Sequence, residues 1–85
     1  MRILISNKAE KQLRSLPQTA QQRIREIFIQ LYAAGIKTNI DIKKLKGHPN
    51  HFRVRIGEYR VRFEFEKPDL IKIYWIGKRS KAYED

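Results

Sequence analysis

The segment that most constrains this chain is residues 52–65. Phe52, Val54 and Ile56 alternate with Arg53 and Arg55; after Gly57-Glu58, Tyr59, Val61, Phe63 and Phe65 alternate with Arg60, Arg62 and Glu64. A period of two is the period of a half-buried strand, and a glycine-led pair of residues is enough to turn one strand back on the next. A two-residue turn fixes the register: Ile56 faces Tyr59, Val54 faces Val61 and Phe52 faces Phe63. The other surface must then set Arg55 opposite Arg60 and Arg53 opposite Arg62. Like charges directly across a sheet weaken it. A sequence shaped by stability alone would place Glu or Thr on one side. Four arginines on one surface therefore point to a bound anion, and the planar guanidinium fork suits phosphate.

The pattern continues on both sides. Lys67-Pro68-Asp69 marks a turn, after which Ile71, Ile73 and Trp75 alternate with Lys72 and Tyr74. Keeping the apolar set on one face pairs Phe65 with Ile71, Lys72 with Glu64 and Tyr74 with Arg62, and puts Trp75 in the core. Upstream the period is helical. Ala9, Leu13 and Leu16 share a stripe, with Asn7 and Glu10 as a capping pair. Ala20, Ile24, Ile27, Phe28 and Leu31 draw a second stripe after Pro17, with Thr19 and Gln22 as its capping pair, up to Gly35. The sequence predicts helices over about 7–16 and 18–34, strands over 51–56, 59–66 and 70–76, and a strand at 2–5 that joins them. This is an α+β fold: a two-helix hairpin packed on one face of a small antiparallel sheet. The 85 residues form one domain, 1–85.

Charge sharpens the reading. Lys and Arg number 19 against 9 acids, a formal net charge of +10. Such an excess draws polyanions: nucleic acid first, an acidic protein second, an anionic membrane surface third. Its distribution favours the first, since residues 43–62 hold seven Lys or Arg and one acid, Glu58. Lys43, Lys44 and Lys46 precede the arginine strands; Lys78, Arg79 and Lys81 follow them. His48 and His51 read as solvated loop residues. With no carboxylate cluster beside them they make no metal site, and no cofactor is implied. Cysteine is absent, which excludes disulfides and thiol chemistry. No apolar run reaches membrane-span length. The expected protein is soluble, cytoplasmic, monomeric on its own and without a membrane partner.

Several segments together resemble the RelE/ParE superfamily of toxins from type II toxin–antitoxin modules, specifically its RelE-like messenger-RNA interferases. They are Ala9-Glu10-Lys11-Gln12-Leu13 with Leu16-Pro17; Lys44-Leu45-Lys46-Gly47; Phe52-Arg53-Val54-Arg55-Ile56-Gly57-Glu58-Tyr59-Arg60-Val61; and Gly77-Lys78-Arg79 with Tyr83. The resemblance implies an endoribonuclease that cuts mRNA, typically in the A site of the 70S ribosome, by attack of the 2′-hydroxyl without a metal. It also implies a cognate antitoxin protein. Carried over by position, Arg60, Arg79 and Tyr83 are catalytic residues, with Arg55 assisting. Arg53, Arg62, Lys43, Lys44, Lys46, Lys78 and Lys81 hold RNA. Arg53 and Arg55 stand where RelE carries lysines. Many relatives read Gly-His-Arg where this chain reads Gly77-Lys78-Arg79, so a histidine acid is missing, and no glutamate stands at a matching base position. The alternatives are a ParE-like toxin that binds gyrase and cuts no RNA, a non-catalytic nucleic-acid-binding module, and an inactive relative kept for antitoxin binding.

Overall fold

The computed structural model describes residues 1–35 and 40–78. In chain order they form β1 (Arg2–Ile5), α1 (Asn7–Arg14), α2 (Gln18–Ala34), β2 (Ile42–Lys44), β3 (His51–Ile56), β4 (Tyr59–Glu66) and β5 (Leu70–Lys78). The five strands make one sheet in the order β1-β5-β4-β3-β2.

The first hairpin has the register its alternation demands. Phe52 pairs with Phe63, Arg53 with Arg62, Val54 with Val61, Arg55 with Arg60 and Ile56 with Tyr59. Gly57 opens the turn at φ +59°, a conformation that favours glycine. The apolar face of this hairpin, with Ile71, Ile73 and Ile76, packs against Ala9, Leu13, Ala20, Ile24, Ile27 and Leu31 of the two helices. Both helices therefore cover one face, and the arginines lie on the other. Tyr59 belongs to the core, as its alternation requires.

Four details differ from the sequence reading. First, the sheet is mixed: β1 runs parallel to β5, with Leu4 opposite Lys72. A parallel pair needs a long crossover, which the helices and β2–β4 supply. Second, residues 42–44 form an extra edge strand on β3; with one apolar residue in three it is too short to show a period. Third, Ser6, not Asn7, caps α1, its Oγ accepting from the Ala9 N–H at 3.0 Å. At α2 the cap position is Pro17, with no side-chain cap bond, and Thr19 is already inside the helix. Gln21 ties the helices together, donating from Nε2 to the carbonyls of Arg14 and Leu16 at 3.2 and 2.9 Å.

The fourth difference changes the site. The β4–β5 ladder pairs Phe65 with Ile71, Glu64 with Lys72 and Phe63 with Ile73, as expected, and then slips: Arg62 faces Trp75, not Tyr74. One extra residue on β5 makes a β-bulge, which reverses the alternation beyond it. Ile76 takes the core place, 1% exposed, and Trp75 moves out to the arginine face. Strict alternation had put Trp75 in the core; the bulge corrects that. Beyond β1, the β5 edge is met by α1, where the Ile76 N–H donates to Gln12 Oε1 at 2.9 Å.

Candidate nucleic-acid interface

The outer face of the sheet is a grid set by the ladders. One row crosses the strands as Leu4, Lys72, Glu64 and His51. The next runs Trp75, Arg62, Arg53 and Lys43. The third runs Gly77, Arg60 and Arg55. Neighbours within a row are about 5 Å apart and rows about 7 Å apart, from strand spacing and rise. The second and third rows hold four arginines and a lysine within the footprint of a few phosphates. The first row mixes charges and ends in an apolar residue.

Burial is uneven across this face. Arg53 and Arg60 are only 4% and 5% exposed, whereas Arg55 and Arg62 are half-buried. Arg53 and Arg60 stand on the inner strands β3 and β4 of the sheet, with a neighbouring strand on either side. Arg62 places its guanidinium over the Trp75 ring, 5.4 Å from the centroid. The indole leans over Gly77, where an added Cβ would meet its Cη2 and Cζ2 at 2.8 Å. Asp41, just before β2, brings its carboxylate 3.7 Å from Arg53 Nη1 and 3.9 Å from Arg55 Nε, while its carbonyl accepts from the Arg55 N–H at 3.0 Å. Arginine keeps its proton under all ordinary conditions. The face is thus a set of permanent cations, two of them nearly enclosed, where charge interactions are strengthened by the lower local dielectric.

The sequence-predicted residues divide accordingly. Arg53, Arg55, Arg60, Arg62 and Lys43 come together. Lys44 pairs with Phe52 and Lys78 with Tyr59, so both sit in register with the opposite face, and Lys46 lies exposed in the loop between β2 and β3. Arg79, Lys81 and Tyr83 lie outside the described residues. Among the described residues no group of three or more His, Asp or Glu could hold a metal ion.

Sequence reasoning missed three contributors. Asp41 stood in an unpatterned loop. Trp75 was hidden by the bulge. His51, first residue of the expected 51–56 strand and of β3, was read as solvated, but its Nδ1 lies 3.0 Å from the Tyr74 hydroxyl and its ring is edge-on to that phenol. The signal for His51 was its parity with Arg53 and Arg55. Tyr74 does face outward as expected, but meets His51.

Residues 3–83 match the family model described as the ParE toxin of the type II toxin–antitoxin system, parDE. Toxin RelE3 of Methanocaldococcus jannaschii is 30% identical over 73 residues, 84% of this chain and 83% of that protein. A second RelE-type toxin of the same archaeon is 35% identical over 83 residues, 95% and 92% of the two chains. The fold superimposes on the toxin–antitoxin complex of RelB and RelE from Methanococcus jannaschii with a TM-score of 0.83, at 28% identity and 94% coverage of both chains. It matches isolated Escherichia coli RelE with a TM-score of 0.76 at 18% identity, covering 96% of this chain and 89% of that one, which speaks for the fold. The cationic hairpin, the helical hairpin behind it and these matches over nearly the whole length agree: the chain belongs to the RelE/ParE superfamily of toxins from type II toxin–antitoxin modules.

Proposed function

We propose that this toxin is a metal-independent endoribonuclease that cuts messenger RNA on the ribosome, and that a cognate antitoxin restrains it by covering the arginine face. The observation that carries this reading is the pair of like-charged cross-strand couples, Arg53 with Arg62 and Arg55 with Arg60, two of whose members are nearly enclosed. Like charges set directly opposite each other weaken a sheet, and the planar guanidinium forks gathered on this face suit the oxygens of a phosphate.

In the reaction the 2′-oxygen attacks the adjacent phosphorus, the P–O5′ bond breaks, and a 2′,3′-cyclic phosphate forms. The proton leaves the 2′-hydroxyl and one is delivered to the 5′-oxygen. Negative charge grows on the non-bridging oxygens, and preorganised cations aimed there commonly provide the largest catalytic effect. Arg60 and Arg79 take that role, with Arg55 assisting. Arg53, Arg62 and Lys43 hold the flanking backbone, with Lys44, Lys46, Lys78 and Lys81 adding to the long-range attraction. Tyr83 stacks on a base or donates to the leaving oxygen. The roles of Arg79 and Tyr83 rest on the resemblance of the Gly77-Lys78-Arg79 and Tyr83 segments. In-line orientation of the 2′-hydroxyl lowers the barrier further.

Primer extension on a translated messenger, with and without ribosomes, tests the reading. Cuts should appear with ribosomes and should vanish when the nucleotide supplying the attacking hydroxyl is 2′-deoxy. Intact messenger together with inhibited gyrase would establish the ParE-like alternative. Antitoxin affinity should fall as salt rises, because charge pairs at the rim of an interface are screened; a salt-independent affinity would remove the electrostatic part of the restraint.

A further inference from the structure

We infer that the outer face carries a nucleobase pocket one row away from the phosphate-gripping arginines, built by Leu4, His51, Glu64, Lys72 and Tyr74. The inference rests on the RNA reading above and adds to it where a base, as opposed to a phosphate, is recognised.

A cavity of about 530 Å³ opens on the first row of the grid, between β1 and the start of β3. That volume lies in the range of small-ligand pockets. Leu4 and Ile5 give it an apolar side, and Leu4 is 58% exposed, one of only three large apolar side chains so open among the described residues. The His51 imidazole and the Tyr74 phenol give it an aromatic side, joined at 3.0 Å and with rings 5.4 Å apart. Glu64 and Lys72 supply an acceptor and a donor at its edge, 3.8 Å from each other. An apolar and aromatic body with a polar edge fits a planar ring that carries hydrogen-bonding groups on its rim, which describes a nucleobase. RNA is read in this way, through unstacked bases laid on aromatic side chains and bonded along their edges.

The placement fits a polynucleotide. His51 and Glu64 stand two residues from Arg53 and Arg62 along their strands, about 7 Å. A phosphate held by Arg53 and Arg62 therefore leaves its own nucleoside within reach of the cavity. The acidic edge also explains why charge changes character along the face. A groove meant for backbone alone would continue the arginines, whereas Glu64 beside Lys72 can discriminate among bases.

The test uses the full-length toxin on a pool of translated messengers, with cut positions mapped by sequencing the new 5′ ends. The wild type should favour one base at one position beside the cut by about tenfold, the equivalent of one charge-assisted hydrogen bond. Leu4→Asp and His51→Ala should each flatten that preference to twofold or less while cutting continues. Leu4 is exposed, so its variant leaves the core intact. Arg53→Ala should reduce total cutting and leave the preference in place. A wild type that cuts without base preference overturns the pocket, and so does a preference that survives both substitutions. If the preference survives and antitoxin affinity alone falls in Leu4→Asp, the cavity belongs to the antitoxin interface and the inference is wrong. Absence of cutting by the wild type itself, with or without ribosomes, overturns the RNA reading and the pocket with it.

Discussion

The two hairpins that share β4 solve opposite electrostatic problems. Between β3 and β4 the outer face sets arginine against arginine twice, and the ladder runs without a break from His51 to Tyr59. Between β4 and β5 it sets Glu64 against Lys72, a favourable pair, and then breaks at a bulge beside Arg62. The regular hairpin carries the unfavourable charges and the irregular one carries the favourable ones. Regularity is what presses the arginines together, since the tight turn at Gly57 leaves the ladder no slack. Irregularity brings Trp75 over to them. The site is thus made by a rigid register on one side and one inserted residue on the other.

Arg60 is where the comparison can be broken most sharply. Arg60→Ala should cut the single-turnover rate by about two to three orders of magnitude, the scale of losing one donor to a developing oxyanion. Arg60→Met, which keeps the buried stem and removes the charge, should lose as much activity and still melt cooperatively. Cleavage at the wild-type rate in Arg60→Met would mean that the enclosed cation serves the fold and not the chemistry.

The regular hairpin was legible in the sequence down to each residue pair because its turn leaves one register. Both helices were legible from their stripes, although the caps fell one residue or more from the expected positions. Asn7 and Ser6 are both good caps, and local pattern does not choose between them. The bulge was not legible. Ile71, Ile73 and Trp75 alternate as well as Ile71, Ile73 and Ile76 do after a slip, and only packing against α1 and β4 selects Ile76. Of the site, the residues on unbroken alternation (Arg53, Arg55, Arg60, Arg62) were found. Those placed by the bulge or by a short edge strand (Trp75, Asp41) were not. His51 was overlooked because it was read with the loop before it.

Gly77→Ala probes the irregular side. Its Cβ would sit 2.8 Å from the Trp75 ring, far inside contact distance, so the indole must swing away from Arg62. The expected cost is about 1–3 kcal/mol, as for overpacking elsewhere. Because Trp75 is the sole tryptophan, its emission reports the movement directly. A red shift together with a lowered melting temperature is expected. Unchanged emission would show that the indole does not rest on Gly77.

Gln12→Leu should have a smaller effect, about 1 kcal/mol or somewhat more. It removes the acceptor of the Ile76 N–H, and a part-buried donor left unmet costs roughly that much. Gln12→Glu, which keeps an acceptor oxygen, should recover most of the loss in urea melts. Equal losses in both variants would mean that the helix packing, not the hydrogen bond, holds this end of β5.

The smallest effect belongs to the favourable charges. Lys72 bonds Glu66 at 2.9 Å and lies 3.8 Å from Glu64. The hydrogen bond to Glu66, then the attraction of Glu66 and Glu64, raise its pKa above the ordinary 10.5. A lysine whose folded pKa is raised adds stability that is fully present below the unfolded value and is lost as pH rises through the folded one. The difference between wild type and Lys72→Met should therefore be constant through neutral and mildly alkaline pH and vanish at strongly alkaline pH. It should be near the limit of measurement and fall with salt, because the group is solvent-exposed and such pairs contribute little. The contrast with Arg60 is the point of the experiment. If Lys72→Met destabilised the fold strongly, the second hairpin would depend on its opposite charges as much as the site depends on its like ones. The Lys72–Glu64 edge would then serve stability, and its place in a base pocket would need independent support from the cut-site preference.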